Sequence, residues 1–186
     1  MKFRHTPLDG AYLIELEPFT DDRGWFARTY SRKEFDGIGH KAEWVQQNHS
    51  FTVKQGTVRG MHFQLPPFSE IKMVQCVAGR VYDVIVDLRE GSPTFLQSFG
   101  AELSAENRTM MFIPKGFAHG FQTMEDNTAL VYNHSEEYQS ASEGGLRFSD
   151  PLLAIKWPLN VTLISDRDRL HPYIDKNFKG INTQNL

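Results

Sequence analysis

The chain has one cysteine, Cys76, in 186 residues. No intramolecular disulfide can form, so the fold must rest on its core, and a reducing compartment is expected. Nowhere do 18 apolar residues run together, which argues against a membrane-spanning helix. The opening Met1-Lys2-Phe3-Arg4-His5 lacks the apolar stretch of a secretory signal. The net charge is −3 with both signs mixed along the chain, so there is no basic field to suit nucleic acid. A soluble, cytoplasmic protein with no nucleic-acid or membrane partner is the expectation. Repeats, low-complexity tracts and linkers are absent as well. The length then predicts one domain over 1–186, with a core of about 10–160 and a C-terminal appendage of about 161–186. Such a chain buries roughly 70% of its unfolded surface, enough for a core without staples.

What the chain does have is β pattern, phenylalanine and two histidine segments. Apolar alternation predicts strands over 10–16, 43–50, 95–103, 109–113, 117–124 and 128–134. The clearest hairpin is expected where Lys72–Val77 turns through Ala78-Gly79-Arg80 into Val81–Leu88. Turn signals recur at roughly ten-residue spacing, the pattern of an all-β sandwich or barrel. Ser31 with Glu34 three residues on predicts a capped short helix. The histidine segments are Arg59-Gly60-Met61-His62-Phe63-Gln64 and Pro114-Lys115-Gly116-Phe117-Ala118-His119-Gly120. A histidine titrates near neutrality and suits proton transfer, and flanking glycines let backbones approach closely. A lone histidine in a strand is more often structural; two such segments shift the balance toward chemistry.

The second segment, Pro-x-Gly-x-x-His, resembles half of the signature of cupins, which are double-stranded β-helices of the jelly-roll type. Metal cupins place a second histidine where this chain has Gln64, and a carboxylate where it has Lys72. Lysine brings only positive charge to a cation. No metal and no cofactor are therefore expected. His62 as base, His119 as a second imidazole and Lys72 as an enolate-stabilising cation would suit removal of a proton beside a carbonyl. The base needs a carboxylate to orient it, and Asp83, Asp87 and Asp168 all remain open; Tyr132 or Tyr138 could return a proton from the opposite face.

A longer set of residues carries a closer resemblance. It runs through Asp22-x-Gly24, Gln46-x-Asn48-x-Ser50, Arg59-Gly60-x-His62-x-Gln64, Lys72-x-Val74-x-Cys76 and Asp83-Val84-x-Val86-Asp87-x-Arg89 to Pro114-x-Gly116-x-Ala118-His119. Tyr132, Glu143-x-Gly145, Trp157-Pro158 and Ser165-x-x-Asp168 continue it. This set resembles the dTDP-4-dehydrorhamnose 3,5-epimerase family, from about residue 5 to 170. The resemblance implies an all-β cupin-like fold with short terminal extensions and a few short helices. It implies an isomerase that inverts C3 and C5, or one of them, of a nucleotide-linked 4-keto-6-deoxyhexose. It implies His62 as base, Asp168 as its dyad partner, Lys72 at the C4 oxygen and Tyr132 as the opposite-face acid. Arg23, Arg28, Gln46, Asn48, Arg59, His119, Tyr138 and Glu143 match positions that hold the substrate or the base, and Phe19 and Phe26 match aromatics near the nucleotide. The expected partners are the nucleotide diphosphate sugar and a second copy of the chain, in a homodimer that exchanges N-terminal strands.

Arg28 departs from a glutamate common in the family, and a guanidinium does not replace a carboxylate without changing what is bound. Blander readings stand beside these. Gln46 and Asn48 could satisfy backbone, Arg23 could be a surface ion pair, Asp87-x-Arg89 reads as a structural pair, and Cys76 as a small buried hydrophobe. His5, His40, His49, His134 and His171 receive no role. The competing classes are a metal-dependent cupin dioxygenase or isomerase and a non-catalytic sugar-nucleotide binder.

Overall fold

The structure, a computed structural model, describes residues 1–183, so the last three residues of the expected 161–186 appendage lie outside the described residues. Among the described residues the chain forms thirteen strands, two short α-helices and one 3-10 turn at Ser140–Ser142. Six strands form one sheet, in the order β1 (Lys2–His5), β2 (Tyr12–Glu15), β10 (Thr109–Ile113), β7 (Lys72–Ala78), β12 (Thr128–His134) and β5 (Gln46–Thr52). Five form the facing sheet, in the order β13 (Glu143–Gly145), β6 (Val58–Gln64), β11 (Phe117–Thr123), β8 (Arg80–Asp87) and β9 (Ser98–Ser104). A separate hairpin joins β3 (Phe19–Asp21) to β4 (Gly24–Phe26). The helices are α1 (Arg32–Asp36) and α2 (Asp166–Leu170). This is the expected all-β, cupin-like sandwich. No helix among the described residues is long and apolar enough to cross a membrane.

Between the sheets, Val74, Cys76, Met111, Ile113 and Leu130 pack against Val81, Ile85, Leu103, Phe117 and Phe121. Each large apolar side chain buried here is worth about 1.5–3 kcal/mol relative to exposure. Both outer faces are covered too. Phe35 of α1 lies under Ile14, Met73, Met110 and Phe112. The C-terminal residues Leu146, Leu153, Ile174 and Ile181 lie over Met61, Val84, Val86 and Leu88. That double cover explains why β8 is buried on both faces and rich in valine and isoleucine, with its two carboxylates Asp83 and Asp87 paired. Burial also pushes the Cys76 thiol up to about 11, so it stays a protonated, packed side chain.

Several local expectations are corrected. The hairpin expected at 72–88 is not a hairpin: β7 and β8 belong to opposite sheets, and Gly79, at φ +70, turns the chain across the sandwich. The alternation in both strands serves one shared interior, which a two-residue period cannot distinguish from side-by-side pairing. Ser31 does not cap α1 with its side chain. Its expected partner Glu34 is drawn to the Met1 amino group at 2.9 Å and to Arg28 at 3.1 Å. The strand expected from residue 95 begins at Ser98, because Leu96 adopts a positive φ within a turn. The strand expected over 43–50 runs instead over Gln46–Thr52.

Candidate active site

β6 and β11 lie side by side with His62 directly opposite His119. Glycines bring the two strands close. Gly60 has φ +117, and a Cβ built on it would stand 2.6 Å from Gly120 Cα. Gly60→Ala is therefore expected to cost about 1–3 kcal/mol of stability from backbone strain alone, read as a lower urea midpoint with an unchanged slope. A midpoint equal to wild type would mean that the strands separate freely here.

These strands floor a cavity of about 650 Å³ between the sheets, which includes His62, His119, Lys72, Tyr132, Asn48 and Asp168 in its walls. α2 supplies Asp168. Ser165 caps the helix by accepting the Asp168 N–H at 3.1 Å. One Asp168 oxygen accepts the Gly60 N–H at 3.0 Å, and the other faces His62 Nε2 at 2.9 Å. Burial opposes the charge on Asp168, but the bonds from His62 and Gly60 outweigh it and hold the carboxyl well below its ordinary range. An ionised partner fixes the tautomer: His62 Nε2–H donates to Asp168, and the lone pair sits on Nδ1. Arg167 lies 3.3 Å from the same Nε2 and 3.5 Å from Asp168, and reaches Glu143 at 3.2 Å.

The facing sheet contributes Tyr132 and Lys72. The Tyr132 hydroxyl is 3.0 Å from Ser50 Oγ, and burial raises its pKa strongly. At neutral pH it holds its proton and can donate it. Lys72 Nζ meets Glu70 at 2.9 Å, and the other Glu70 oxygen meets His134 Nδ1 at 2.6 Å. Burial works against the Glu70 charge, yet the bond from His134 and the charge of Lys72 prevail, and its pKa is lowered.

Of the three carboxylates left open for the dyad, Asp168 meets His62. Asp83 instead meets the second histidine, with His119 Nε2 at 2.7 Å. Asp87 is tied up by Arg89, Ser92 and Thr94, the structural pair expected. Gln64 turns away from the cavity and binds the backbone of Phe68, Glu137 and Gln139. Among the described residues, the group that could hold a metal is His62, Asp168 and His171, with ligand atoms within 4.8 Å of one another. The Arg167 guanidinium occupies that neighbourhood with positive charge of its own.

At the rim, Arg59 bonds Thr52 at 3.1 Å. Gln46, Tyr138 and Glu143 do not line the cavity themselves: Gln46 links Asn48, which does, to the Tyr138 N–H, and Tyr138 donates to Glu143 at 2.8 Å. Phe19, Arg23 and Phe26 are not brought to this cavity within one chain. With Trp25 they line a separate groove on the β3–β4 hairpin, where Phe19 is 78% and Phe26 73% exposed. Arg28 is also outside, paired with Glu34.

Glu70, His134, Arg167 and His171 were not singled out from the sequence. His134 had a signal: it stands two residues from Tyr132 on β12, and so on the same face. Glu70 stands two before Lys72 but ahead of the start of β7, so strand alternation does not place it. His171 had one too: it stands three residues after Asp168, at the end of α2, and the i,i+3 step brings it to within 3.8 Å of that carboxylate.

Comparison with known proteins agrees with this arrangement. The family model for dTDP-4-dehydrorhamnose 3,5-epimerase matches residues 5–176. The enzyme of that name from Shigella flexneri is 42% identical over 164 residues, 88% of this chain and 90% of its own. The crystal structure of the Bacillus anthracis enzyme, with TDP and PPi bound, superposes with a TM-score of 0.90 at 42% identity, over 93% of this chain and 99% of that one. The Legionella pneumophila dTDP-6-deoxy-D-glucose-3,5-epimerase, in complex with dTDP-4-keto-L-rhamnose, gives 0.89 at 35% identity, over 97% of each chain. On a match that spans nearly its whole length, this chain belongs to the dTDP-4-dehydrorhamnose 3,5-epimerase family of isomerases.

Proposed function

We propose that the chain epimerises a nucleotide-linked 4-keto-6-deoxyhexose without a cofactor, converting dTDP-4-dehydro-6-deoxyglucose to dTDP-4-dehydrorhamnose by inversion at C3 and C5. The observation that carries this reading is one cavity with a carboxylate-paired imidazole on one sheet and a neutral phenol on the other. His62 Nδ1 takes the proton from the carbon beside the C4 carbonyl. The C–H electron pair becomes the new C=C bond, and the carbonyl pair moves to oxygen. Lys72 supports that enolate oxygen electrostatically. Asp168 offsets the imidazolium charge. Tyr132 then returns a proton to the opposite face, and the enolate reverts to the ketone with the centre inverted. Arg59, Gln46, Asn48, His119, Tyr138 and Glu143 hold the substrate around this centre.

The remaining expected contacts, Phe19, Arg23, Phe26 and Arg28, belong in this reading to a homodimer with exchanged N-terminal strands. Exposed aromatic rings on a hairpin outside both sheets support it, because a second copy would cover them and carry them to the nucleotide end of its own cavity. The protein acts in the cytoplasm as one cupin-like domain.

Proton NMR in deuterated water with a panel of nucleotide 4-keto-6-deoxysugars tests the reading. Deuterium is expected at C3 and C5 of the dTDP sugar, at a rate unchanged by EDTA. No exchange with any sugar, or a rate lost to EDTA and restored by metal, overturns it. In the same assay Tyr132→Phe removes one oxygen and little volume, so the fold should hold. Deuterium should still wash in at a substantial rate through His62, with little inverted product at C5. Inversion of both centres at the wild-type rate would remove Tyr132 from the mechanism.

A further inference from the structure

A single chain of hydrogen bonds runs from the rim of the cavity to Lys72, and each donor and acceptor in it is forced. It begins at a backbone group that can only donate. The Tyr138 N–H gives its bond to Gln46 Oε1 at 3.0 Å. The Gln46 amide nitrogen must therefore be the group that faces Asn48, and it donates to Asn48 Oδ1 at 3.1 Å. Asn48 then turns its own Nδ2 toward His134 Nε2 at 3.3 Å. An amide nitrogen only donates, so Nε2 carries the lone pair and Nδ1 carries the hydrogen. That hydrogen goes to Glu70 at 2.6 Å. The chain ends where the other Glu70 oxygen meets Lys72 Nζ at 2.9 Å.

We propose that Glu70 and His134 are positioning residues for Lys72, a carboxylate locked in place by a neutral histidine so that it holds the ammonium aimed into the cavity. The proposal rests on the reading of Lys72 as the cation at the enolate oxygen. Two physical needs argue for it. The Lys72 side chain is only 12% exposed, so its ammonium needs a counter-charge within reach. Glu70, itself 8% exposed, supplies the opposing charge. A lysine has a long flexible stem, so a carboxylate that could rotate would carry the ammonium with it. His134 prevents this by holding the second Glu70 oxygen, and the Asn48 amide in turn holds His134. A cationic His134 would break the sequence, because its Nε2–H would confront the Asn48 amide hydrogens. The chain thus joins residues expected to touch the sugar, Gln46 and Asn48, to the group that stabilises its enolate.

Lys72 shares its cavity with Arg59 and His62 on β6, His119 on β11, Tyr132 on β12, His49 on β5, and Arg167 and Asp168 on α2. The test must therefore separate Lys72 from these. kcat and KM would be measured separately by NMR for Glu70→Gln, His134→Val, His134→Asn and Lys72→Ala, with affinity for dTDP by calorimetry. In Glu70→Gln the ammonium loses its counter-charge. kcat should fall by up to about 10²-fold through misplacement of the ammonium, with dTDP affinity little changed. His134→Val should lower kcat by up to about 10²-fold through misplacement of the charged group. His134→Asn can put an amide N–H where Nδ1–H stands and should recover most of that loss. The proposal is overturned if Glu70→Gln and both His134 variants keep the wild-type kcat while Lys72→Ala is inactive. Wild-type turnover by Lys72→Ala would instead sink the reading of Lys72 beneath it. Should His134→Val fail to fold, Glu70→Gln and His134→Asn still decide the question.

Discussion

His62→Ala is expected to lose deuterium exchange at both sugar carbons by about 10²–10⁴-fold, the range that a positioned general base supplies. The fold should survive, for reasons visible around the cut. His62 is partly exposed at the cavity wall, and its removal does not strand the buried carboxylate beside it. Asp168 keeps the Gly60 N–H at 3.0 Å and has the Arg167 guanidinium within 3.5 Å. Affinity for dTDP should stay close to wild type, since the imidazole faces the sugar rather than the nucleotide in this reading. Near-native exchange by the variant would move the base elsewhere. His119 would be next, although its Nε2 is already bonded to Asp83 at 2.7 Å, which leaves only Nδ1 for the task.

The sequence made some of this legible and hid the rest for physical reasons. His62 and His119 could be found because each sits beside a glycine that only a close backbone approach requires, as Gly60 and Gly120 show. Asp168 could not be assigned from the residues alone: 106 positions separate it from His62, and Asp83 and Asp87 offered the same chemistry nearer by. The resemblance to a family pointed to Asp168, and the structure brings it to His62. The supposed hairpin at Gly79 failed because alternation records which side chains face inward, not which strand lies alongside. Ser31 and Glu34 had the spacing of a reciprocal cap, but a free amino group from the chain start claimed the glutamate. His134 is legible only through the two-residue step from Tyr132 along β12, which puts both on one face; as a lone histidine in a strand it carries no signal. Phe19 and Phe26 stay exposed on the β3–β4 hairpin, away from the cavity of this chain.

The companion to the loss of His62 is Asp168→Asn, for which most of the rate should disappear while substrate affinity holds. The geometry dictates which way the new amide turns. The Gly60 N–H needs an acceptor, so the asparagine oxygen stays on that side and the Nδ2 group faces His62. An amide nitrogen only donates. His62 Nε2 must then give up its hydrogen and accept, and the proton moves to Nδ1, the nitrogen that should take the proton from the sugar. The base is blocked by its own tautomer, and the charge that would offset an imidazolium is gone as well. A loss of about 10²–10⁴-fold in kcat is expected, comparable to removal of the base. Because both variants disable one unit, the double variant should be little slower than either alone. The ionised Asp168 also contributes to stability. Its folded pKa is depressed, so that contribution is present above the unfolded carboxyl pKa of about 3.9 and fades as pH falls toward the folded value. Asp168→Asn should thus lower the urea midpoint at neutral pH and narrow the gap to wild type in acid. Rates in single turnover and dTDP-sugar affinity by calorimetry check the catalytic claim. If affinity collapses while bound substrate still exchanges at the wild-type rate, Asp168 holds the sugar and not the base.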